Sequence, residues 1–135
     1  RFGSVTYVGI DISARMISEA RRLRPSLDLR VCNILDEAIN DVFDVVTANG
    51  IFYLLGDQAP DFMQQIIRRM YELAQSAVAF NSLSSWAKIK QPGEFYADPI
   101  ETIEFCRKST PWVTMRHDYL PHDFTIYMYR DRERN

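Results

Sequence analysis

Short apolar runs and amphipathic segments follow one another in the first part of the chain. Val5–Ile10 is β-branched and apolar at successive positions, which is typical of a strand buried on both faces. Apolar residues then recur with helical spacing between Ser13, a residue type that caps helices, and Pro25, which disfavours helix at the preceding residue. Leu27–Val31 and Phe43–Ala48, the second again buried, predict two more strands.

The remainder of the chain predicts two helices, one strand and a closing hairpin. A broad apolar stripe backed by glutamines and arginines indicates the first helix, and an aspartate before a proline marks the start of the second. Aromatic residues alternate with polar ones near the end, which favours an antiparallel pair. The predicted elements are a helix over Asp61–Ala74, a strand over Ala77–Leu83, a helix from Asp98 to Lys108, and hairpin strands over Trp112–Tyr119 and Phe124–Arg130.

This order of elements predicts an α/β fold, with one domain over residues 1–135 and a mainly parallel sheet that ends in an antiparallel hairpin. Ligands of such sheets bind at the carboxyl ends of the strands. The polar residues at or just after those ends are Asp11, Asn33, Asn49 and Asn81. They are therefore the first candidates for a functional site.

Composition excludes several classes of protein. Of the 135 residues, 47% are apolar, 25% are charged and 13% are aromatic, which is typical of a folded globular domain. The formal charge of -2 leaves no bulk positive field for a nucleic-acid backbone. No apolar stretch is long enough to span a membrane, and Cys32 and Cys106 lack the spacing of a metal site or a disulfide framework. We therefore expect a cytoplasmic protein without nucleic-acid, membrane or metal partners.

Asp11 is suited to binding the hydroxyl groups of a ribose. Its carboxylate has two acceptor oxygens and directly follows a strand, which holds it in place. Asn33 follows the next strand, and its side-chain carbonyl suits an adenine amino group, while Ile12 and Ile34 suit the two faces of the ring. The alternative is that Asp11 only helps to start the following helix, and that Asn33 is a loop residue beside core isoleucines.

Two segments resemble motifs of class I S-adenosylmethionine-dependent methyltransferases. Val8–Ser13 (VGIDIS) resembles the segment around that family's second strand, and Phe43–Gly50 (FDVVTANG) resembles its fourth-strand motif. The next helix and strand and the closing hairpin match the rest of the family's order. The resemblance implies a Rossmann-like three-layer sandwich that binds S-adenosylmethionine, with Asp11 as the ribose-binding acid and with Asn49 and Gly50 also at the cofactor.

The start of the sequence departs from that family. The family's first strand and its glycine-rich loop would lie before Arg1, and no GxGxG occurs in these residues. The resemblance therefore implies an N-terminally truncated domain without its central strand, and we expect this chain to bind the cofactor weakly or not at all. Strand edges beside the gap would carry unpaired polar groups, at about 1–3 kcal/mol for each buried one. We expect either a rearranged sheet or a homodimer in which partner strands complete it.

Candidate residues for the methyl acceptor come from the predicted loops and the hairpin. Methyl transfer needs an acceptor held in line and, for oxygen or nitrogen acceptors, often a general base. His117 and Tyr53 are the candidate catalytic residues, and Asn81 and Trp86 are the candidates for contact with the acceptor. The alternatives are a solvated hairpin histidine and a tryptophan packed within its loop.

Three functions compete at this point. The first is an S-adenosylmethionine-dependent methyltransferase acting on a small-molecule acceptor. The second is a non-catalytic methyltransferase-fold remnant, or interaction module, that has lost cofactor binding. The third is a dinucleotide-binding oxidoreductase, whose second strand also ends in a ribose-binding acid. The closing hairpin and the Asn49–Gly50 segment favour the first over the third, and the residues alone do not name the acceptor.

Overall fold

A computed structural model describes residues 4–35, 39 and 41–130. These residues belong to two compact units, one within Arg1–Asn40, termed unit 1, and one within Asp41–Asn135, termed unit 2. Each unit contains a sheet of its own. The expectation of one domain over residues 1–135 stays a prediction, and Arg1, before which the family's first strand would lie, is outside the described residues.

Unit 1 is built from two strands and the helix between them. β1 (Val8–Asp11) and β2 (Asp28–Val31) are parallel neighbours, and α1 (Ala14–Leu23) connects them. The Ser13 hydroxyl accepts a hydrogen bond from the Met16 amide at 3.2 Å, so the predicted helix cap is confirmed. The predicted strand, helix and strand are all present, with both strands shorter than predicted at their amino-terminal ends.

Unit 2 contains, in chain order, β3 (Phe43–Ala48), a 3-10 turn (Gly56–Gln58), α2 (Ala59–Leu73), β4 (Ala74–Leu83), α3 (Pro99–Cys106), β5 (Val113–Leu120) and β6 (Asp123–Tyr129). Its four strands lie in the order β3-β4-β6-β5. β3 and β4 are parallel, whereas β6 is antiparallel to both β4 and β5. The turn between β5 and β6 therefore returns to the carboxyl end of β4, where the predicted functional residues lie.

The core of unit 2 lies between its sheet and two helices, with α2 against β3 and β4 and α3 against β5 and β6. The apolar stripe of α2 is buried, with Ile67 and Met70 each 1% exposed. Phe80 on β4 is 1% exposed and Ile126 on β6 has no exposed surface. Burial of one such side chain contributes about 1.5–3 kcal/mol. This core holds the strands whose polar ends form the candidate site.

Arg130 joins the end of β6 to the junction of α2 and β4. Its guanidinium donates to the carbonyl oxygens of Tyr71 and Ala74, the latter at 3.0 Å, and lies 3.9 Å from the centre of the Tyr71 ring. Its own amide donates to the Ser76 carbonyl oxygen at 2.9 Å. The last carbonyl groups of a helix lack partners within the helix and carry partial negative charge, so a cation is favourable there.

Two predicted strands are less buried than their sequences indicate. Val5, in the predicted strand Val5–Ile10, is 86% exposed, and Val45 on β3 is 53% exposed. The prediction that both strands are buried on both faces is therefore wrong. Among the described strands, β1 pairs with β2 alone and β3 with β4 alone. One connecting helix covers only one face of such a pair, and no side chain of β1 or β3 is fully buried.

The helix predicted from Asp98 to Lys108 is shorter than its pattern indicates. α3 begins at Pro99 as predicted, and the Asp98 carboxylate accepts from two amides of its first turn at 2.8 and 3.0 Å. It ends at Cys106 instead of Lys108. The Lys108 amide donates three residues back, to the Phe105 carbonyl oxygen at 3.1 Å, so the chain continues as a tighter turn.

Candidate functional site

The carboxyl ends of β1 and β2 lie side by side in unit 1. The register pairs Asp11 with the last residue of β2, and the Cys32 amide donates to the Asp11 carbonyl oxygen at 3.0 Å. Ile12 directly follows β1, while Asn33 and Ile34 come two and three residues after β2. The structure therefore places all four predicted cofactor residues of unit 1 at the same end of one strand pair.

The Asp11 carboxylate is exposed and is held by a local contact. Its Oδ1 atom accepts from the Ser13 amide at 2.7 Å, so this residue does help to start α1. Within the described ranges, Oδ2 takes part in no hydrogen bond. A role at the start of α1 and a role in binding ribose are thus compatible for Asp11, because one oxygen orients the side chain while the other faces solvent.

The neighbours of Asp11 differ in exposure and in bonding. Ile12 is 75% exposed, and Ile34 is half-buried. The Asn33 side-chain oxygen accepts from the Leu35 amide at 3.0 Å, which is an Asx turn. This bond orients the Asn33 carbonyl within its own loop, and the contact of these residues with an adenine ring stays a prediction.

A chain of hydrogen bonds connects the turn after β3 with strands β4, β5 and β6 at the carboxyl end of the β4 strand. The Gly50 amide, just after β3, donates to Asn81 Oδ1 on β4 at 2.8 Å. Asn81 Nδ2 donates to the two Asp123 carboxylate oxygens at 3.2 and 3.4 Å, and the Tyr119 hydroxyl donates to Asp123 at 2.5 Å. The Tyr119 hydroxyl also lies 2.7 Å from Thr125 Oγ1. These five residues are termed the Asn81 network.

Tyr119 is a hydrogen-bond donor within the Asn81 network at neutral pH. Partial burial of the hydroxyl, and then its hydrogen bond to Asp123, raise the pKa of Tyr119 to about 12. The phenol therefore keeps its proton and donates it to the carboxylate, which accepts only. Because a hydroxyl has one proton, Tyr119 in turn accepts from Thr125.

A cavity of about 240 Å³ lies beside the Asn81 network. Its walls include three residues predicted from the sequence, Gly50, Tyr53 and Asn81, and two acidic residues, Glu94 and Asp123. Glu94 is half-buried, and one of its carboxylate oxygens accepts from a tyrosine hydroxyl at 2.7 Å. The structure thus brings predicted cofactor, catalytic and substrate residues of unit 2 to the wall of one cavity.

The two acidic residues of the cavity were not predicted as site residues. Asp123 begins β6, and the antiparallel register pairs it with Leu83 at the end of β4. The sequence feature that could have indicated Asp123 is the predicted hairpin, because the hairpin turn returns to the carboxyl end of the neighbouring strand. Glu94 comes from the loop between β4 and α3, where no periodic pattern constrains the backbone.

His117 and Trp86 lie together, but their contacts differ from those of Asn81. Their rings stack with centres 5.0 Å apart, and the His117 ring also stacks on Phe124 at 6.1 Å. His117 Nε2 lies 2.8 Å from Ser84 Oγ, which has no exposed surface. The predicted catalytic histidine is therefore packed between two aromatic rings and bonded to a buried hydroxyl.

The register of β4 and β6 separates these two groups. It pairs Asn81 with Thr125 and Ser82 with Phe124. Successive side chains of a strand point to opposite faces, so the Asn81 network and the Phe124 side chain, on which His117 stacks, lie on opposite faces of the sheet. The structure brings together His117 with Trp86, and Tyr53 with Asn81, as two separate pairs. The roles predicted for all four residues stay predictions.

Among residues 4–35, 39 and 41–130, no group of three or more histidine, cysteine, aspartate or glutamate side chains is placed to hold a metal ion. No helix in these ranges is long and apolar enough to cross a membrane. The expectations of a metal-free and a cytoplasmic protein stay predictions.

The family follows from a sequence comparison. The profile of a family described as "Methyltransferase domain" matches residues 1–120 of the 135. The chain belongs to this methyltransferase family. The resemblance to class I S-adenosylmethionine-dependent methyltransferases is therefore confirmed, whereas a search of curated proteins finds no match.

Solved structures show the same fold as this methyltransferase domain. A possible exported protein from Bordetella parapertussis has a TM-score of 0.73 and 14% identity, over 93% of this chain and 53% of that one. The N-methyltransferase NodS from Bradyrhizobium japonicum WM9, in complex with S-adenosyl-L-homocysteine, has a TM-score of 0.69 and 16% identity, over 93% of this chain and 66% of that one.

A third solved structure is the magnesium protoporphyrin IX methyltransferase ChlM from Synechocystis PCC 6803 with S-adenosylhomocysteine bound. It has a TM-score of 0.66 and 10% identity, over 92% of this chain and 63% of that one. The predicted Rossmann-like methyltransferase fold with a closing antiparallel hairpin is confirmed. The chain spans between half and two thirds of the length of these three proteins.

Proposed function

We propose that this methyltransferase domain is part of an S-adenosylmethionine-dependent enzyme that methylates a small-molecule acceptor. The observation that carries the proposal is the Asp11 carboxylate, which is exposed at the carboxyl end of β1. Its Oδ1 atom is held by the Ser13 amide, and Oδ2 makes no hydrogen bond to a described residue. A carboxylate held in this way suits the two hydroxyl donors of a ribose.

Unit 1 supplies the residues that we assign to the adenosine part of the cofactor. Asp11 would bind the ribose, the exposed Ile12 and the half-buried Ile34 would contact the faces of the adenine ring, and Asn33 would contact its amino group. The chemistry of this end of the strand pair fits adenosine, because it combines one carboxylate, one amide and two aliphatic side chains. When bound, the cofactor supplies a methyl group on a sulfonium sulfur, open to in-line attack by the acceptor.

Unit 2 supplies the residues that we assign to the acceptor side. The Asn49–Gly50 segment would contact the cofactor, and the cavity beside it would hold the acceptor. At about 240 Å³ the cavity is slightly smaller than typical ligand pockets of roughly 300 Å³ and more, so it suits a small acceptor. Tyr53 lines this cavity, and its phenol would orient the acceptor atom by a hydrogen bond.

Titration of S-adenosylhomocysteine into the 15N-labelled chain, followed by NMR, tests the assignment of unit 1. NMR detects binding even at roughly millimolar affinity, and this chain is expected to bind the cofactor only weakly. We expect shifts of the amides of Ile12, Ser13 and Asn33, and their loss in Asp11→Asn. Asp28→Asn is the matched control, because Asp28 is an exposed aspartate at the opposite end of the same strand pair.

Other outcomes of this titration favour the competing functions. If the folded chain shows no shifts in unit 1 at any accessible concentration, an interaction module without cofactor binding is favoured. If NADH shifts the same amides at lower concentration than S-adenosylhomocysteine does, the oxidoreductase is favoured. If Asp28→Asn weakens binding as much as Asp11→Asn does, the assignment of the ribose to Asp11 is wrong.

We also propose that the chain forms a homodimer. β1 and β3 each have an edge that pairs with no other described strand, and open strand edges favour pairing with another chain. Size-exclusion chromatography with light scattering is expected to give twice the mass of the chain. A stable monomer at the highest soluble concentration would contradict this proposal without affecting the assignment of Asp11.

A further inference from the structure

The turn after β3 is held by a side chain that lies 31 residues further along the chain. Gly50 has a φ angle of +64°, and a Cβ atom there would meet no other atom within 4 Å. Glycine is therefore required by the backbone conformation and not by lack of space. Its amide, which belongs to the Asn49–Gly50 peptide, donates to Asn81 Oδ1 at 2.8 Å. The orientation of this peptide thus depends on which way the Asn81 amide points.

Asp123 determines which way that amide points. The oxygen and nitrogen of an asparagine side chain are nearly the same size, so hydrogen bonds alone decide its orientation. The Asp123 carboxylate lies 3.2 and 3.4 Å from Asn81 Nδ2 and accepts from it. A reversed amide would place an oxygen against the carboxylate and a nitrogen against the Gly50 N–H group. Both of those contacts would be repulsive.

Tyr119 holds the Asp123 carboxylate in turn. Its hydroxyl donates to Asp123 at 2.5 Å and accepts from Thr125 Oγ1 at 2.7 Å. The register of β5 and β6 shifts between Arg116 and Leu120, within the stretch that contains Tyr119. The irregular end of β5 therefore places this phenol where it reaches the first residue of β6. Each member of the Asn81 network from Thr125 to Gly50 then has a defined donor or acceptor role.

We propose that Asp123 and Tyr119 are positioning residues that act through Asn81 to set the orientation of the Asn49–Gly50 peptide. The relevance of that peptide to methyl transfer rests on the proposed function, which assigns it to the cofactor. The relay itself is a property of unit 2 and can be measured on the chain without any ligand. It also gives Asn81 a role other than direct contact with the acceptor, since both ends of its amide are already bonded.

Exchange of the Gly50 amide proton, measured by NMR on the 135-residue chain, tests the relay. In Asn81→Asp, a carboxylate still accepts from Gly50 but lies against the Asp123 charge. We expect Gly50 to exchange about tenfold faster, because the bond from residue 81 to Asp123 is lost and repulsion between the two carboxylates moves the acceptor away from Gly50. In the double variant Asn81→Asp with Asp123→Asn, the introduced amide again donates to a carboxylate and its carbonyl accepts from Tyr119. Exchange of Gly50 is expected to return to within about threefold of the original rate.

Matched controls separate the relay from general effects of the substitutions. Asp118→Asn removes the same charge from the same hairpin, but Asp118 bonds to Arg116 at 3.0 Å, outside the Asn81 network. Tyr119→Phe is compared with Tyr129→Phe, since the two tyrosines are 42% and 43% exposed. Only Tyr119→Phe is expected to accelerate exchange at Gly50. The proposal is wrong if Gly50 exchanges as fast in the double variant as in Asn81→Asp. It is also wrong if Asp118→Asn accelerates exchange at Gly50 as much as Asp123→Asn does.

Binding of S-adenosylhomocysteine by the same variants separates this proposal from the proposed function. We expect Asn81→Asp to weaken binding and the double variant to restore it, in parallel with exchange at Gly50. If the unmodified chain shows no binding, the assignment of the cofactor residues in the proposed function fails, while the exchange data still decide the relay. If binding is equal in all variants although Gly50 exchange changes, the peptide is positioned as proposed but does not serve the cofactor, which overturns that part of the proposal.

Discussion

Asp11 in unit 1 and Asp123 in unit 2 both place a carboxylate at a candidate site, but different kinds of hydrogen bond position the two side chains. The only described hydrogen bond of the Asp11 side chain joins it to an amide two residues along. Asp123 is bonded to Asn81, 42 residues away, and to Tyr119 across the hairpin. Among described residues, three buried apolar side chains form the core of unit 1 and sixteen that of unit 2. A side chain that is held by a nearby backbone amide needs only a small hydrophobic core around it. A site built from residues on strands far apart in sequence depends on how those strands pack.

The largest expected difference between the two units is in amide exchange. The small core of unit 1 is expected to open at a lower free energy than that of unit 2. Amides of β4 and β6 are therefore expected to exchange about 100-fold or more slowly than amides of β1 and β2. Hydrogen exchange followed by NMR measures both sets in one sample. Equal protection would show that the two units open together, and the comparison would not hold.

Phe80→Ala is expected to destabilise unit 2 by about 3–5 kcal/mol. Phe80 is 1% exposed and packs edge to face on Phe52 with ring centres 5.8 Å apart, so the smaller side chain leaves a cavity. Trp86 and Trp112 both belong to unit 2, and urea unfolding followed by tryptophan fluorescence therefore reports on this unit. Ile17→Ala in unit 1 is the control. An equal fall of the fluorescence midpoint in Ile17→Ala would contradict independent cores.

Alkaline pH is expected to weaken unit 2 through Tyr119. Its pKa is raised from the ordinary value of 10.0 to about 12, so the folded state keeps a proton that the unfolded state loses first. The contribution is complete below pH 10 and is lost as the pH rises toward 12. Because the side chain is 42% exposed, solvent screening reduces it to about 1 kcal/mol. Urea midpoints between pH 8 and 11 should fall less in Tyr119→Phe than in the unmodified chain, and equal slopes would exclude this contribution.

Asp11→Ala is expected to have the smallest effect, about 0.5 kcal/mol on the local stability of unit 1. The substitution removes one exposed hydrogen bond to the Ser13 amide, and Asp11→Asn, which keeps an acceptor, should change still less. Exchange of the α1 amides measures both variants. A loss above about 2 kcal/mol would mean that Asp11 has a mainly structural role.

Local signals in the sequence were sufficient for most elements of the fold. The bounds of β3 agree with the predicted run, and Ser13 and Asp98 cap their helices as expected, because caps and short apolar runs depend on neighbouring residues. Burial was predicted less well. Val45 has the composition of a core residue, but its exposure depends on which elements cover its strand.

The residues of the candidate site also divide into those that local sequence indicates and those that depend on the fold. Asp11 was recognised from its position after a strand, since that position is a local property. Asp123 and Glu94 were missed, because their places at the cavity depend on sheet register and on a long loop. Residue type alone also grouped His117 with Asn81, whereas alternation along paired strands puts their contacts on opposite faces. A pattern of residue types therefore indicates which side chains carry chemistry more readily than which ones meet.

The contacts of Arg130 bear on where the chain can be cut or joined. This residue connects the last strand of unit 2 to the helix-strand junction 56 to 59 residues earlier. A deletion that removes it would release the end of β6 and expose carbonyl groups at the end of α2. An affinity tag or fused partner should therefore be attached after Arg130, where the added residues leave this cation and its three backbone contacts in place.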